Sequence, residues 1–245
     1  MRTWAEWDDA VPGFVEIDLV GHEGGNSRGE FCFTLDVIDI ATGWTVTRSV
    51  KNEAQKWVFA ATNDSTAAFP FPIHGLDSEN GSEFINWELF RWCEQEYLTF
   101  TRTRSGNKND GAHVEQKNWH IVRKTVGYHR YDTAPELAKL NEVWEPDRSF
   151  TNYLLPQQKL TKKQPYGAKV SKYYDVPATP NQRAVKQSTV WKRPVITMNA
   201  TLKRLRPVHL QCDILNLTRE PEKLSLAQKT SPEKPPVNIK QTKNP

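Results

Sequence analysis

Three carboxylates stand where an apolar context gives a chain little reason to place them. Asp18 falls in the middle of "GFVEIDLV", a run whose alternation puts Val15, Ile17 and Leu19 on one side and Phe14, Glu16, Asp18 and Val20 on the other. Asp77 follows "FPFPIHGL" at what reads as the end of a short strand, inside the acidic turn "HGLDSENGSEF". Glu115 heads a helical stripe that Trp119, Val122 and Val126 continue at 4, 3 and 4 residue spacing. Each acid has an ordinary reading: a strand residue reaching solvent, a turn or N-cap acid, and a first-turn glutamate favoured by the helix dipole. An unpaired buried charge is costly, so the other reading is a metal site to which all three contribute.

The elements that would have to position them read as follows. Residues 13–20, 30–40 and 44–50 form three strands of an antiparallel meander, joined by the glycine-rich "GHEGGNSRG" and the tight "ATG". A helix over 52–69 follows, with Asn52 able to cap it. The next strand carries prolines, which confine it to an edge or to their own position at its beginning. Residues 82–96 make an amphipathic helix through Phe84, Trp87, Phe90 or Arg91 and Glu94. "YLTFTRTR" is a fifth strand, "SGNKNDG" a polar loop, and 112–126 a third helix. Trp87, Trp92 and Trp119, at helical spacing, are expected in the core. Three strands, then helix, strand, helix, strand, helix describe an α/β layer with a mixed five-stranded sheet, the RNase H-like fold.

Beyond residue 130 come a capped helix and an irregular helix-like stretch to 156, a basic region over 157–220 with one helix near 201–217, and a tail over 221–245 expected to be disordered. The organisation expected is therefore a lead (1–12), a core (13–130), a helical extension (131–156) and a basic C-terminal extension. From Gln157 onward 18 Lys and Arg face 5 Asp and Glu, net +13; the residues before it carry 15 against 24, net −9. A basic segment of this kind attracts polyanions through counterion release, or is simply a solvated tail. No run of about 18 apolar residues suggests a membrane span, and no signal core opens the chain, so a cytosolic, nucleoid-associated protein is expected. Three widely spaced cysteines, Cys32, Cys93 and Cys212, argue against a disulfide framework and against a thiolate zinc site.

With these contexts in order, "EIDLVGHEGG", "GLDSENGSEF" and "KNDGAHVEQKNW" resemble the catalytic motifs of DDE-type transposases and retroviral-type integrases, in particular the integrase-core transposases of bacterial insertion sequences. The resemblance covers roughly 13–152. It implies that Asp18, Asp77 and Glu115 are the catalytic, metal-binding acids of a DNA-cleaving and strand-transferring enzyme. Three carboxylates forced together need cations, and two Mg²⁺ or Mn²⁺ ions about 3.5 to 4 Å apart suit hard oxygen ligands and in-line phosphoryl transfer. The phosphate backbone would then lie along Arg102, Arg104, Lys108, Lys117, Asn118, Arg123 and Lys124, which are otherwise an ordinary solvated face. His22 would touch a metal-bound water or a phosphate, or be a surface-loop histidine, and Asn80 would support the turn beside Asp77. The implied partners are element ends and target DNA, with a homo-oligomer assembled on them. Transposases of this kind carry helix-turn-helix domains ahead of the core, which this sequence lacks, so the resemblance also suggests a truncated chain: either an active core, or a catalytically inactive DNA-binding remnant. A plain RNase H-like nuclease shares the same fold and metals.

Overall fold

The computed structural model describes residues 8, 10–78, 87–102, 118–166 and 169–229. Strands β1 (Phe14–Gly21), β2 (Phe33–Asp39) and β3 (Thr45–Val50) form the antiparallel meander. Two further strands, β4 (Gly75–Ser78) and β5 (Thr99–Arg102), join parallel to β1 and to each other, giving the order β3-β2-β1-β4-β5. This mixed sheet, flanked by helices, is the RNase H-like arrangement. Helices α1 (Gln55–Ala67) and α2 (Trp87–Gln95) occupy the two crossovers on its parallel side.

β4 lies inside the sheet, and its prolines come ahead of it: Pro70 and Pro72 leave every ladder N–H of the strand intact. Their segment is held by Gly13, whose carbonyl accepts from the N–H groups of His74 and Gly75 at 2.7 and 3.1 Å. Gly13 has φ +111°, and a Cβ there would come within 2.5 Å of the Pro72 carbonyl oxygen, so only glycine permits this approach. Asp39 ties the other end of the meander to the same place. Its carboxylate accepts from Gly13 N and from Thr42, and burial pushes its pKa up despite those donors.

The two faces of the sheet are packed by different helices. Val15, Ile17, Leu35, Val37, Val46 and Leu76 meet Val58 of α1 and Leu89 and Cys93 of α2. The opposite face is covered by a short helix α3, which begins as a π-helical stretch (Asn118–Arg123) and ends as one α-turn (Lys124–Val126), and by the long α4 (Ala134–Tyr153). There Val20, Cys32, Val122, Val126, Tyr131, Leu140, Val143 and Trp144 form a second cluster. α4 opens on a full capping box between Thr133 and Glu136, and runs unbroken for 20 residues through Pro146.

Several expectations need correction. Ala54, not Asn52, is the N-cap of α1, and Asn52 instead accepts from Ala54 N in a turn ahead of the helix. α2 buries Leu89 and Cys93, so its inward stripe is offset from the one expected, and Trp87 is 72% exposed. Trp119 is 55% exposed because α-helical spacing does not apply in a π-helical turn, whose bonds run i→i+5. The basic region is folded: strands β6 (Leu160–Tyr166) and β7 (Lys169–Tyr174) pair as a hairpin, followed by α5 (Pro180–Ala184), α6 (Lys192–Arg204) and α7 (Pro207–Lys229). Ala184, Val190 and Met198 enter the main core cluster, and Leu217 packs on the second. The helix expected near 201–217 is thus two helices meeting at Leu205, with Pro207 opening the second, and that helix continues past 221. No helix among the described residues is long and apolar enough to cross a membrane.

Candidate active site

Strand parity decides which carboxylates can meet. Residues two apart on a strand share a face, and register partners on neighbouring strands share it too. Glu16 pairs with Asp77 across β1 and β4, Asp18 with Asp36 across β1 and β2, Asp36 with Thr47, and Asp77 with Thr101. One face of the sheet therefore carries Thr47, Asp36, Asp18, Glu16, Asp77 and Thr101 in a band across all five strands. Asp36 and Asp77 are almost completely buried, Glu16 nearly so, and Asp18 is half-buried.

Hydroxyls at the two ends orient this band. Thr101 Oγ1 donates to Asp77 Oδ1, and Thr47 Oγ1 donates to Asp36 Oδ1, both at 2.7 Å. Asp77 lies within β4 rather than just past its end as expected, because the strand continues through Ser78. Of the three predicted acids, Asp18 and Asp77 thus come to neighbouring strands on one face. Glu115 lies outside the described residues, as do Asn80, Arg104, Lys108 and Lys117. Glu16 and Asp36 were not singled out from the sequence, although Glu16 shares the parity of Asp18, and Asp36 breaks the apolar run of "EFCFTLDVIDI" as Asp18 breaks that of β1.

His22 is a core residue, not a surface-loop one. It follows β1 directly, is fully buried, and its Nε2 lies 2.7 Å from Thr34 Oγ1. That hydroxyl is 2.7 Å from Ser49 Oγ, to which Trp144 Nε1 also donates at 2.7 Å. The ring packs edge-on against Tyr131 at 5.3 Å. Burial, with Arg123 close by, lowers the His22 pKa to about 3, so the imidazole is neutral at physiological pH.

The described members of the expected phosphate-contacting set differ among themselves. Arg123 donates through Nη2 to Gly21 O at 2.8 Å and stacks over Tyr128 at 4.8 Å, so it holds the end of β1 in place. Arg102, at the end of β5 in register with Ser78, sits 5.8 Å over the Phe100 ring. Lys124 is exposed, and Asn118 is the first residue of α3. Among the described residues no three His, Cys, Asp or Glu side chains gather as a metal-binding group. The donors that do share the face are hard oxygens of carboxylates and hydroxyls, the chemistry that Mg²⁺ takes and soft metals do not.

No protein-family profile matches the sequence. A Sinorhizobium fredii protein named "Uncharacterized protein y4rM" is 42% identical over 183 residues, covering 75% of this chain and 52% of its own length. The chain thus spans about half the length of the curated relative it matches. Among solved structures, a chain of the simian T-cell lymphotropic virus intasome bound to PP2A regulatory subunit B56 gamma is similar at TM-score 0.48 and 16% identity, over 59% of this chain and 50% of that one. The HTLV-2 integrase catalytic core domain in complex with magnesium gives 0.46 and 13%, over 61% and 93%. The BIV integrase catalytic core domain gives 0.43 and 12%, over 58% and 84%.

Proposed function

We propose that this chain is the catalytic core of a DDE-type polynucleotidyl transferase, a transposase or integrase of the bacterial insertion-sequence kind, which nicks DNA and joins the freed 3′-hydroxyl to target DNA. The observation that supports the reading best is the band of carboxylates on one sheet face, with Asp18 and Asp77 on the neighbouring parallel strands β1 and β4. The third ligand is Glu115, in the stretch that leads into α3.

In this reading Asp18, Asp77 and Glu115 hold two Mg²⁺ or Mn²⁺ ions, which supply activation of the attacking oxygen and stabilisation of the leaving oxygen. The chain's own groups do the rest. The Thr101 hydroxyl fixes the rotamer of the Asp77 carboxylate. Arg102 and Lys124 draw the phosphate backbone toward the band, giving affinity without reading sequence. The assembly on DNA is a homo-oligomer in the bacterial cytosol.

The test is strand transfer from a pre-cleaved DNA end with Mg²⁺ or Mn²⁺. Wild-type protein joins the end to target DNA, whereas Asp77→Asn and Glu115→Gln do not, although both still bind DNA. Undiminished joining by Asp77→Asn removes the metal assignment. Salt-sensitive DNA binding by wild type with no metal-stimulated cleavage favours the second reading, an inactive DNA-binding remnant, for which the net charge of the C-terminal region speaks.

A further inference from the structure

Among the described side chains of the β6–β7 hairpin, Thr161, Lys162, Gln164, Pro165, Val170, Ser171, Lys172, Tyr173 and Tyr174 are all exposed, so none of these rests on the core. A lone two-stranded hairpin is marginal in water, and this one is fixed at its root instead. There Gln157 and Ala178 pair the segments leading into β6 and out of β7, with backbone hydrogen bonds of 3.0 and 3.1 Å. Asp175 accepts from Lys159 N and pairs with the Arg183 guanidinium, which also donates to Gln157 O at 2.7 Å. The Lys159 ammonium reaches back to the carbonyls of Ile40 and Ala41, at 2.6 and 2.9 Å, and so ties the root to the turn after β2.

The charge on this rooted ribbon has one sign. Residues 160–174 hold four lysines (Lys162, Lys163, Lys169 and Lys172) and no Asp or Glu. Lys163 and Lys172 occupy directly opposed register positions, an arrangement that disfavours the hairpin on its own account. The Lys162 ammonium stands 5.9 Å over the Tyr173 ring, leaving the lysine without an acidic partner on the ribbon itself. A cationic ribbon that is firmly rooted and exposes its described side chains is matched by a polyanion of regular charge spacing.

We propose that the β6–β7 ribbon is a docking arm for the phosphate backbone of duplex DNA, resting on the reading of the chain as a DNA-acting enzyme. The B-form major groove, about 12 Å wide, admits a two-stranded ribbon, whereas the deep, narrow major groove of duplex RNA does not. Lysine-rich contacts of this kind give affinity that falls with salt and little discrimination among sequences.

The experiment measures binding of the full chain to a fluorescein-labelled DNA duplex by anisotropy over a KCl series. In the ribbon variant Lys162→Gln/Lys172→Gln the plot of log K against log salt becomes shallower by about 2, and affinity at physiological salt falls on the order of tenfold or more. The control Lys203→Gln/Arg204→Gln removes the same charge from exposed positions at the end of α6, and its slope stays near that of wild type. An unchanged slope in the ribbon variant, or equal losses in both variants, overturns the proposal. Competition by duplex RNA or polyglutamate as strong as that by unlabelled DNA also overturns it. A ribbon variant with wild-type slope and normal strand transfer sinks the ribbon alone. A ribbon-dependent slope without metal-dependent transfer sinks the catalytic reading and leaves the ribbon standing.

Discussion

Glu16 and Asp77 are register partners across β1 and β4, both buried on the same face of the sheet. Two carboxylates in that relationship repel in a low-dielectric setting unless a cation or a proton intervenes. Asn at position 77 removes one charge while leaving an oxygen to accept from Thr101. In EDTA, Asp77→Asn therefore melts about 2–4 °C above wild type, the shift that about 1 kcal/mol produces in a chain of this size. Added Mg²⁺ raises the melting temperature of wild type and leaves the variant's unchanged. Differential scanning fluorimetry reads both, and a wild type indifferent to Mg²⁺ counts against the carboxylate band as a cation site.

The open edge of the sheet is closed by two asparagines of α4. Asn152 accepts from Thr45 N at 2.9 Å and donates to Thr45 O at 2.8 Å, and Asn141 does the same for Ser49 at 2.9 and 3.0 Å. The eleven-residue step from one to the other rises about 16 Å along the helix, close to the roughly 13 Å of the four-residue step from Thr45 to Ser49 along β3. Each amide thus satisfies both backbone groups of an edge-strand residue, which would otherwise be open to pairing with another chain. Asn152→Ala strands two buried backbone groups and costs about 2–5 kcal/mol in urea unfolding, while the half-buried Asn141 costs less when truncated. A loss below about 1 kcal/mol for Asn152→Ala contradicts the pairing.

Arg130 organises the whole loop between β1 and β2. Its guanidinium donates to the carbonyls of Glu23, Asn26, Arg28 and Glu30, pairs with Asp132 at 2.6 Å, and lies 5.6 Å over Phe31. Only a planar five-donor fork reaches so many acceptors at once, so lysine is no substitute. Gly24 has φ +60°, and a Cβ there would lie 2.5 Å from Arg130 N. Arg130→Lys exposes the loop to tryptic cleavage at Arg28 severalfold faster than in wild type, and Gly24→Ala lowers stability by about 1–2 kcal/mol. Equal cleavage rates in limited proteolysis contradict the first expectation.

What was legible in the chain follows period and punctuation. The meander came through because Val15, Ile17 and Leu19, and their counterparts on β2 and β3, keep a two-residue alternation, whereas the order of the strands across the sheet was not read from the sequence. The parity of Asp18, read from that alternation, puts it on the sheet face that Glu16, Asp36 and Asp77 share. Long-range pairings left no local signature. Nothing in "NEVWEPDRSFTN" marks Asn141 and Asn152 as partners of a strand about a hundred residues earlier, nor Arg130 as the hub of a loop. The basic region hid its strands because neither "LTKKQPY" nor "KVSKYY" carries a two-residue apolar alternation, and periodicity reports burial, which the exposed side chains of the ribbon lack. The π-helical stretch in α3 broke the one assumption, 3.6 residues per turn, on which the position of Trp119 was read.

His22 makes the stability of the fold depend on pH in a specific window. Its pKa falls from 6.5 in the unfolded chain to about 3 in the folded one, chiefly through burial. The unfolded state therefore binds more protons between those values, and stability rises with pH across that interval. The contribution is fully present above pH 6.5 and is lost as pH falls toward 3, at about 1.4 kcal/mol per unit, so roughly 2 kcal/mol is gone by pH 5. His22→Gln keeps a side chain able to bond Thr34 Oγ1 but cannot titrate. It is less stable than wild type at pH 7.5, and its stability falls less between pH 7 and pH 5, by about 2 kcal/mol in urea titrations. Parallel pH profiles for the two proteins would place the acid sensitivity on other groups and free His22 of the role.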